Sequence, residues 1–259
     1  MSEARLQPLV PGCLDEVRLI ATDMDGTLTR EGRFSSALVA TLERLRAADL
    51  PVLIVTGRSA GWVSALVHYL PVVGAIAENG GLVCWPDGQR QMLVNLPDLE
   101  QHRQQLATQF ERLQQRFGPL RVSDDNDFRL TDWTFDVAGL HPQTLARMEA
   151  FCQDQGWSFC YSNVQCHIKL VGQDKAPGLR QLLSKRWPNL LAVQVLTVGD
   201  SPNDASLFDP AFFPCSAGVA NVAHYREVLP HLPRWVTEAP EADGFRELVN
   251  ALATVPVQG

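Results

Sequence analysis

The chain has 259 residues, of which 46% are hydrophobic and 20% are charged, a composition typical of folded globular proteins. Its formal charge is −7, with 22 Lys and Arg against 29 Asp and Glu, so it lacks the excess of basic residues that nucleic-acid binding requires. No stretch approaches the roughly 20 apolar residues that cross a bilayer, and the six cysteines show neither a C-x-x-C pair nor zinc-ligand spacing. We therefore expect a cytoplasmic monomer or small homo-oligomer with reduced thiols, no nucleic-acid partner and no membrane partner.

The first predicted strand ends in two acids. An apolar run over residues 17–22 leads directly into Asp23-Met24-Asp25-Gly26-Thr27, and ligands of parallel sheets bind beyond the carboxyl ends of such strands. Two crowded carboxylates repel each other unless a cation lies between them, and their hard oxygens suit Mg²⁺. Phosphoryl transfer fits this arrangement: one carboxylate attacks phosphorus, and the other moves the proton of the leaving oxygen. The alternative is a simple turn, since Asp and Gly are common turn residues.

Strand and helix signals alternate over the next 60 or so residues, which predicts a parallel α/β sheet. A helix capped by Ser35 or Ser36 precedes the apolar strand of residues 52–55, which ends in Thr56-Gly57-Arg58. Because parallel strands end at the same edge, we expect the Thr56 hydroxyl to lie near Asp23. A helix to about Tyr69, a strand near 73–77, a turn at 78–81 and a strand at 82–85 follow.

From about residue 86 the pattern changes to a small α+β unit. The periodicity predicts a long helix between 99 and 117, a strand at 128–137, a helix at 142–155, and strands at 157–161 and 164–170. We interpret residues 86–170 as an inserted cap domain, and residues 1–85 and 171–259 as the core.

The core resumes with a helix at 175–187 and a strand at 193–198, followed by Gly199-Asp200-Ser201-Pro202-Asn203-Asp204 and a last helix near 244–253. Lys175 begins the first of these helices, where its charge opposes the helix dipole. That placement is explained if the ammonium points inward and neutralises the nucleophile and the phosphate. Asp200 is a third acid at a strand end.

Four segments together resemble, in order, the motifs of the haloacid dehalogenase (HAD) superfamily: residues 23–27, 56–58, 174–175 and 199–204. The third departs from the usual D-K-G-x-A-L, because Ala176 and Pro177 follow the lysine. The turn Glu78-Asn79-Gly80-Gly81 and the position of the insertion resemble the type IIB group, which includes Cof-like and sucrose-phosphate phosphatases and the eukaryotic phosphomannomutases.

The resemblance implies a doubly wound, mostly parallel α/β sheet with an inserted α+β cap. It also implies Asp23 as nucleophile, Asp25 as general acid and base, and Thr56 and Lys175 as groups that stabilise the phosphoryl oxygens. Mg²⁺ would be bound by Asp23, Asp200 and the main-chain carbonyl of Asp25, with Asp204 orienting the loop and Lys175. Further candidate substrate contacts in the core are Thr27, Gly57, Arg58, Asn79 and Asn203. Arg58 either supports the phosphate or pairs with a core acid.

The cap must supply specificity. Gln165, His167 and Lys169 alternate with apolar residues, so they share one strand face. That face is either solvated or lies over the catalytic edge and binds substrate, and Arg129 and Asp132 are candidates of the same kind. We expect a Mg²⁺-dependent phosphomonoesterase whose partner is a small phosphorylated metabolite, in particular a sugar phosphate. A phosphomutase and a catalytically idle binding module remain alternatives. A requirement for a bisphosphate in turnover would reveal the mutase, and release of free phosphate would exclude the idle module.

Overall fold

The computed structural model describes residues 6–10 and 12–252, which form a large mixed sheet and a smaller antiparallel one. The strands of the large sheet are β1 Gln7–Pro8, β2 Leu19–Thr22, β3 Val52–Val55, β4 Gly74–Ala77, β5 Leu82–Cys84, β6 Arg90–Met92, β10 Val195–Gly199, β11 Ser216–Gly218 and β12 Trp235–Val236. Their order is β1-β12-β11-β10-β2-β3-β4-β5-β6. All neighbours are parallel except β4 with β5 and β5 with β6. The small sheet has the order β7-β9-β8, with β7 Asp132–Asp136, β8 Ser158–Tyr161 and β9 Gln165–Lys169.

Helices cover both faces of the large sheet. The α-helices are α1 Ser36–Ala47, α2 Ala60–Tyr69, α3 Leu99–Phe117, α4 Pro142–Asp154, α5 Lys175–Arg186 and α6 Glu241–Asn250. Successive residues of β2 point to opposite faces: Ile20 packs in the cluster that contains α1, α2 and α6, and Ala21 packs in the cluster that contains α5. The predicted doubly wound α/β fold is confirmed. No helix in the described ranges is both long enough and apolar enough to cross a membrane.

The small sheet carries α3 and α4 on one face and has a hydrophobic cluster of its own. Side chains such as Phe110, Phe135 and Met148 are buried there. We keep the name cap for this unit. Strand β6 lies inside the range predicted for the cap, yet it pairs with β5 and extends the large sheet to Met92.

The strand predicted at 128–137 is shorter than expected and begins at Asp132. A 3-10 turn occupies Asn126–Phe128 instead. The backbone N–H groups of Leu130 and Thr131 donate to the carboxylate of Glu78, as does the Thr131 hydroxyl. These donors are therefore used to fasten the start of the cap strand to the core rather than to pair with another strand.

Two glycines allow α5 to pack directly on the turn that follows β4. A Cβ atom on Gly178 would lie 2.7 Å from the Cα atom of Gly80, and a Cβ atom on Gly80 would lie 2.1 Å from the main-chain oxygen of Asp174. Contacts of that length with backbone atoms force the structure to shift. The close packing places Lys175, at the start of α5, beside the carboxyl edge of the sheet.

We expect Gly178→Ala to destabilise the protein by about 1 to 3 kcal/mol, because overpacking outweighs the gain of up to about 1 kcal/mol in helix propensity. Chemical denaturation measures the free energy of unfolding. Ser184→Ala, at an exposed position of the same helix, is the matched control and should change it by only a few tenths of a kcal/mol. A Gly178→Ala variant as stable as wild type would contradict the tight contact.

Candidate active site

Three buried carboxylates meet at the carboxyl edge of the large sheet. Asp23 follows β2 and Asp200 follows β10, and these two strands are parallel neighbours. Asp204 lies in the 3-10 turn Pro202–Phe208 that comes next. One oxygen from each acid lies within 4.8 Å of the others. The register of two strands thus brings together acids that are far apart in the chain.

Lys175 lies between two of these acids. Its Nζ donates to Asp23 Oδ1 and to Asp204 Oδ1, both at 2.6 Å, and the side chain is fully buried. Burial alone would lower the pKa of Lys175, but the charges of Asp204 and Asp23 outweigh it and raise that pKa. The other oxygen of Asp204 accepts from the backbone N–H groups of Asp200 and Ser201. Lys175 is therefore a fixed positive charge at the candidate nucleophile, and Asp204 supports both Lys175 and the loop.

Asp23 and Asp200 remain in a strongly negative environment. Burial raises the pKa of Asp23 to about 7, and Asp204 and Asp25 add to that rise against the charge of Lys175. Burial also raises the pKa of Asp200, to which the charges of Asp23 and Asp204 contribute. A bound cation relieves repulsion of this kind. Asp204 is held by the Lys175 ammonium and by two backbone N–H groups, whereas only neutral side chains hold Asp200. We therefore assign a hard cation such as Mg²⁺ to the carboxylates of Asp23 and Asp200.

Two side chains orient Asp200. The Thr27 hydroxyl donates to Oδ1 at 3.3 Å, and Asn221 Nδ2 donates to Oδ2 at 2.8 Å and to the carbonyl of Gly26 at 3.0 Å. Thr27 was predicted to contact substrate. In the structure its fully buried side chain faces Asp200 and donates to that carboxylate.

Asp25 pairs with Arg58 through two hydrogen bonds. Nε donates to Oδ2 at 2.8 Å and Nη2 donates to Oδ1 at 2.7 Å. The guanidinium also stacks over the ring of Trp62, 4.3 Å from its centroid. Of the two roles that the sequence left open for Arg58, this arrangement corresponds to pairing with a core acid.

The segment after β3 presents the Thr56 hydroxyl to the same edge. Thr56 follows β3, and its Oγ1 accepts a hydrogen bond from the backbone N–H of Arg58 at 3.1 Å. Thr56 lines the crevice beside Asp23, so the hydroxyl can donate to a ligand bound there. Gly57 lies under the imidazole of His167, whose Cε1 would be 3.0 Å from a Cβ atom at this position.

The amides of Asn79 and Asn203 contact each other at the back of the crevice. Asn203 Nδ2 donates to Asn79 Oδ1 at 3.1 Å. Asn79 is fully buried, and its Nδ2 has no hydrogen-bond partner within residues 6–10 and 12–252. That nitrogen lies 3.2 Å from the position that a Cβ atom on Gly57 would take. This donor therefore lies beside Gly57, which lines the crevice.

The polar face of β9 is buried against the core, so the interpretation as a solvated face is wrong. Gln165, His167 and Lys169 are 6%, 1% and 1% exposed. His167 Nδ1 bonds to Asp132 Oδ2 at 2.8 Å, and its Nε2 faces the crevice near Gly57. Lys169 Nζ instead pairs with Asp174 at 3.3 Å, in the segment that leads back to the core. His167 therefore presents a ring nitrogen, Nε2, to the crevice.

Arg129, also predicted to bind substrate, lies in a buried ionic network. Its guanidinium donates to both oxygens of Asp125, to Asp132, to Gln165 Oε1 and to the carbonyl of Gly57. An arginine has five N–H donors, and these acceptors use all of them. The predicted direct contact with substrate is therefore revised, because no N–H group remains for one.

The crevice between cap and core is nearly closed. Its cavity measures about 10 Å³ and lies between Asp23, Asp25 and Thr56 on the core side and Ser162 and His167 on the cap side. At the turn before β9, Asn163 Nδ2 lies 2.7 Å from the position of a Cβ atom on Gly26. A cavity of this size holds about one water molecule, so a phosphate ester enters only when the cap moves away.

Four residues that shape the site had no role predicted from sequence: Glu78, Asp125, Ser162 and Asn221. Glu78 belongs to the turn at residues 78–81 that resembles the type IIB group, so its sequence context could have indicated a role. Asn221 lies in the 3-10 turn Ala220–Tyr225, and nothing in its sequence context indicates that its amide reaches Asp200.

Comparisons with known proteins agree with this geometry. A family profile described as haloacid dehalogenase-like hydrolase matches residues 20–133. The chain is 32% identical to a phosphoglycolate phosphatase of Natronomonas pharaonis over 237 aligned residues. The aligned region covers 89% of this chain and 96% of that protein.

Solved structures show the same fold. Protein 0175 of Thermoplasma acidophilum superposes with a TM-score of 0.73 at 22% identity, over 91% of this chain and 99% of that one. The HAD subclass IIB sugar phosphatase BT4131 superposes with a TM-score of 0.68 at 15% identity, over 92% and 100%. The chain therefore belongs to the haloacid dehalogenase-like hydrolases and is a phosphatase.

Proposed function

We propose that the protein is a Mg²⁺-dependent phosphomonoesterase that hydrolyses a small phosphorylated metabolite through an aspartyl-phosphate on Asp23. The contact of Lys175 with Asp23 and Asp204, beside Asp200 and Thr56, carries the proposal. A buried ammonium bound to two carboxylates fixes the geometry of Asp23 and offsets the negative charge of an approaching phosphate.

A side chain of the site can carry out each step of the reaction. The Asp23 carboxylate attacks phosphorus in line with the leaving oxygen, which Asp25 protonates. Arg58 holds the Asp25 side chain by both oxygens and so sets its direction. Asp25 then removes a proton from the water that hydrolyses the aspartyl-phosphate. The Thr56 hydroxyl and Lys175 donate to the phosphoryl oxygens.

Mg²⁺ would be held by the carboxylates of Asp23 and Asp200 and by the main-chain carbonyl of Asp25. When bound, it supplies positive charge opposite the phosphoryl oxygens. Thr27 and Asn221 keep the Asp200 carboxylate in its orientation, and Asp204 keeps Lys175 beside Asp23.

For the substrate, we propose the phosphate ester of a short hydroxy acid, such as phosphoglycolate, ahead of the sugar phosphate expected from sequence. The small crevice supports this choice. A two-carbon leaving group takes up little space, so the cap can close over it in nearly the position that the structure shows. The name of the relative from Natronomonas pharaonis supports it as well. The sugar phosphatase among the structural neighbours keeps a sugar phosphate as the alternative.

A panel of phosphate esters tests the proposal. Phosphoglycolate, several sugar phosphates, a polyol phosphate and p-nitrophenyl phosphate are incubated with the purified protein and Mg²⁺, and inorganic phosphate is measured. We expect phosphoglycolate to have the highest kcat/KM. Preference for a sugar phosphate would overturn the choice of substrate alone, whereas absence of phosphate release from every ester would overturn the proposed function. Transfer of phosphate to a second position of a sugar without its release would identify a phosphomutase.

His167→Ala should reduce selectivity for the preferred substrate. Nε2 donates only in the protonated imidazole, a form that the Asp132 carboxylate and an anionic leaving group both favour. Loss of a hydrogen bond between such charged groups costs about 1.5 to 3 kcal/mol, which is about ten- to 150-fold in kcat/KM. The loss should be much smaller for p-nitrophenyl phosphate, because the core handles the phosphoryl group and the cap reaches only the leaving group. His68→Ala, at an exposed position of α2, is the control. Equal losses on both substrates would mean that His167 does not contact the leaving group.

A further inference from the structure

We propose that Arg129 is a positioning residue that orients both the Thr56 hydroxyl and the His167 imidazole, so that one buried guanidinium aligns the phosphoryl contact of the core with the leaving-group contact of the cap. The inference rests on the proposed function, since it assigns Thr56 and His167 to those two parts of the substrate. Arg129 itself touches no substrate.

The first arm of this arrangement runs from Arg129 to Thr56 through one peptide group. Arg129 Nη1 donates to the carbonyl oxygen of Gly57 at 2.9 Å. The N–H of the same peptide group, that of Arg58, donates to Thr56 Oγ1 at 3.1 Å. Arg129 thus fixes the plane of the peptide, and the peptide occupies a lone pair of the hydroxyl. The Thr56 proton then points away from the peptide and toward the crevice.

The second arm runs from Arg129 to His167 through Asp132. Arg129 Nη1 also donates to the Asp132 carboxylate at 2.9 Å, and Asp132 Oδ2 bonds to His167 Nδ1 at 2.8 Å. Burial opposes ionisation of Asp132, but the charge of Arg129 and the bond from His167 hold its pKa below the usual value. An ionised carboxylate only accepts, so Nδ1 carries the proton. Nε2, which makes no hydrogen bond within the described part of the chain, is left facing the crevice.

The guanidinium is locked from its other side. Asp125 accepts from Nε and Nη2, and Gln165 Oε1 accepts from Nη2 at 2.8 Å. Asp125 also accepts from the backbone N–H of Ser59 at 3.3 Å. The side chain of Arg129 is completely buried, and its planar guanidinium binds acceptors from both core and cap. A lysine keeps the charge but cannot hold these directions at once.

A purely structural role predicts different behaviour. A buried ion pair that only joins cap to core would, when weakened, lower the unfolding temperature while the folded molecules kept their kcat. A positioning role predicts that folded molecules have a lower kcat, because misplacement by about 1 Å costs about 100-fold in rate. It also predicts that a variant that affects the connection to His167 alters selectivity for the leaving group more than it alters binding of the phosphoryl group.

The test compares Arg129→Lys, Asp132→Asn and the control Arg121→Lys, an exposed arginine of the cap that also pairs with two aspartates. For each, kcat and KM are measured with the preferred ester and with p-nitrophenyl phosphate. Binding of orthovanadate, a phosphoryl mimic, is measured from its effect on the unfolding temperature, which needs no turnover. Far-UV circular dichroism confirms folding.

We expect Arg129→Lys to lower kcat by about ten- to 100-fold on both esters and to weaken orthovanadate binding at least threefold. Asp132→Asn removes the charge that links Arg129 to His167 and leaves the contact of Arg129 with Gly57 in place. It should lower the ratio of kcat/KM for the preferred ester over p-nitrophenyl phosphate by about tenfold or more, with a smaller effect on orthovanadate. Arg121→Lys should match wild type.

A folded Arg129→Lys variant with the kcat and the orthovanadate affinity of wild type would overturn the inference and leave a structural ion pair. So would an Asp132→Asn variant with unchanged selectivity. If Arg129→Lys fails to fold, Asp125→Asn takes its place, because it loosens the guanidinium and with it the direction of the hydrogen bond to Gly57. That variant should weaken orthovanadate binding, and unchanged binding would overturn the inference. Inactivity of wild type on every ester would instead contradict the proposed function, and orthovanadate binding would still test Arg129.

Discussion

The Asp23→Asn variant is expected to lose turnover by about 10⁴-fold or more on every phosphate ester, because an amide is a poor nucleophile and cannot form the aspartyl-phosphate. The protein should remain folded. Asp23 is one of three mutually repelling acids, and Lys175 keeps its contact with Asp204 after the substitution. We therefore expect no fall in the unfolding temperature.

Phosphate release and thermal unfolding of Asp23→Asn measure both parts of this prediction. Asp154→Asn, at an exposed position of α4, controls for the loss of one negative charge and should behave as wild type. Turnover of Asp23→Asn within about tenfold of wild type would rule out covalent catalysis by this residue.

Removal of divalent metal with EDTA should lower activity by at least about 100-fold, and added Mg²⁺ should restore it, because the bound cation accounts for several kcal/mol of charge stabilisation in the transition state. The buried pair of Asp23 and Asp200, in which proximity and burial raise both pKa values, is the physical reason to expect a cation.

Variants of Asp200 and its supports refine the metal prediction. Asp200→Asn should raise the Mg²⁺ concentration needed for half-maximal activity. This increase should exceed the increases caused by substitutions of Thr27 and Asn221, which only orient the carboxylate. Thr27→Val and Asn221→Ala, which remove hydrogen bonds to the carboxylate, should raise it by about ten- to 100-fold. Full activity in EDTA, or unchanged Mg²⁺ dependence in Asp200→Asn, would remove the metal from the reaction.

The motifs of the core could be interpreted from sequence because each lies next to a recognisable element. Asp23 follows a run of apolar residues, Thr56 follows another, and Lys175 begins an amphipathic helix. Parallel strands end at one edge, so local patterns sufficed to predict that these residues meet. The alternation of helices and strands predicted the α/β class for the same reason, and the structure confirms it.

The cap could not be interpreted in this way. The period-two pattern of β9 showed that Gln165, His167 and Lys169 share a face, but it could not show what covers that face. Only the packing of the cap on the core distinguishes these residues. His167 binds Asp132 through Nδ1 and turns Nε2 to the crevice, whereas Lys169 pairs with Asp174. The strand predicted from Phe128 likewise began late, because Glu78 takes the N–H groups of Leu130 and Thr131.

The sequence by itself determined the fold class, the family and the identity of the acids, the threonine and the lysine at the sheet edge. These follow from short-range patterns: apolar strands, the residues that end them, and the spacing within each motif. The tertiary structure alone decided that Arg129 contacts Gly57, that Thr27 and Asn221 bind Asp200, and that Arg58 pairs with Asp25. Each of these contacts joins elements distant in the chain. A polar side chain forms its hydrogen bond with the partner that tertiary packing brings within about 3 Å, and short-range sequence patterns do not contain that information.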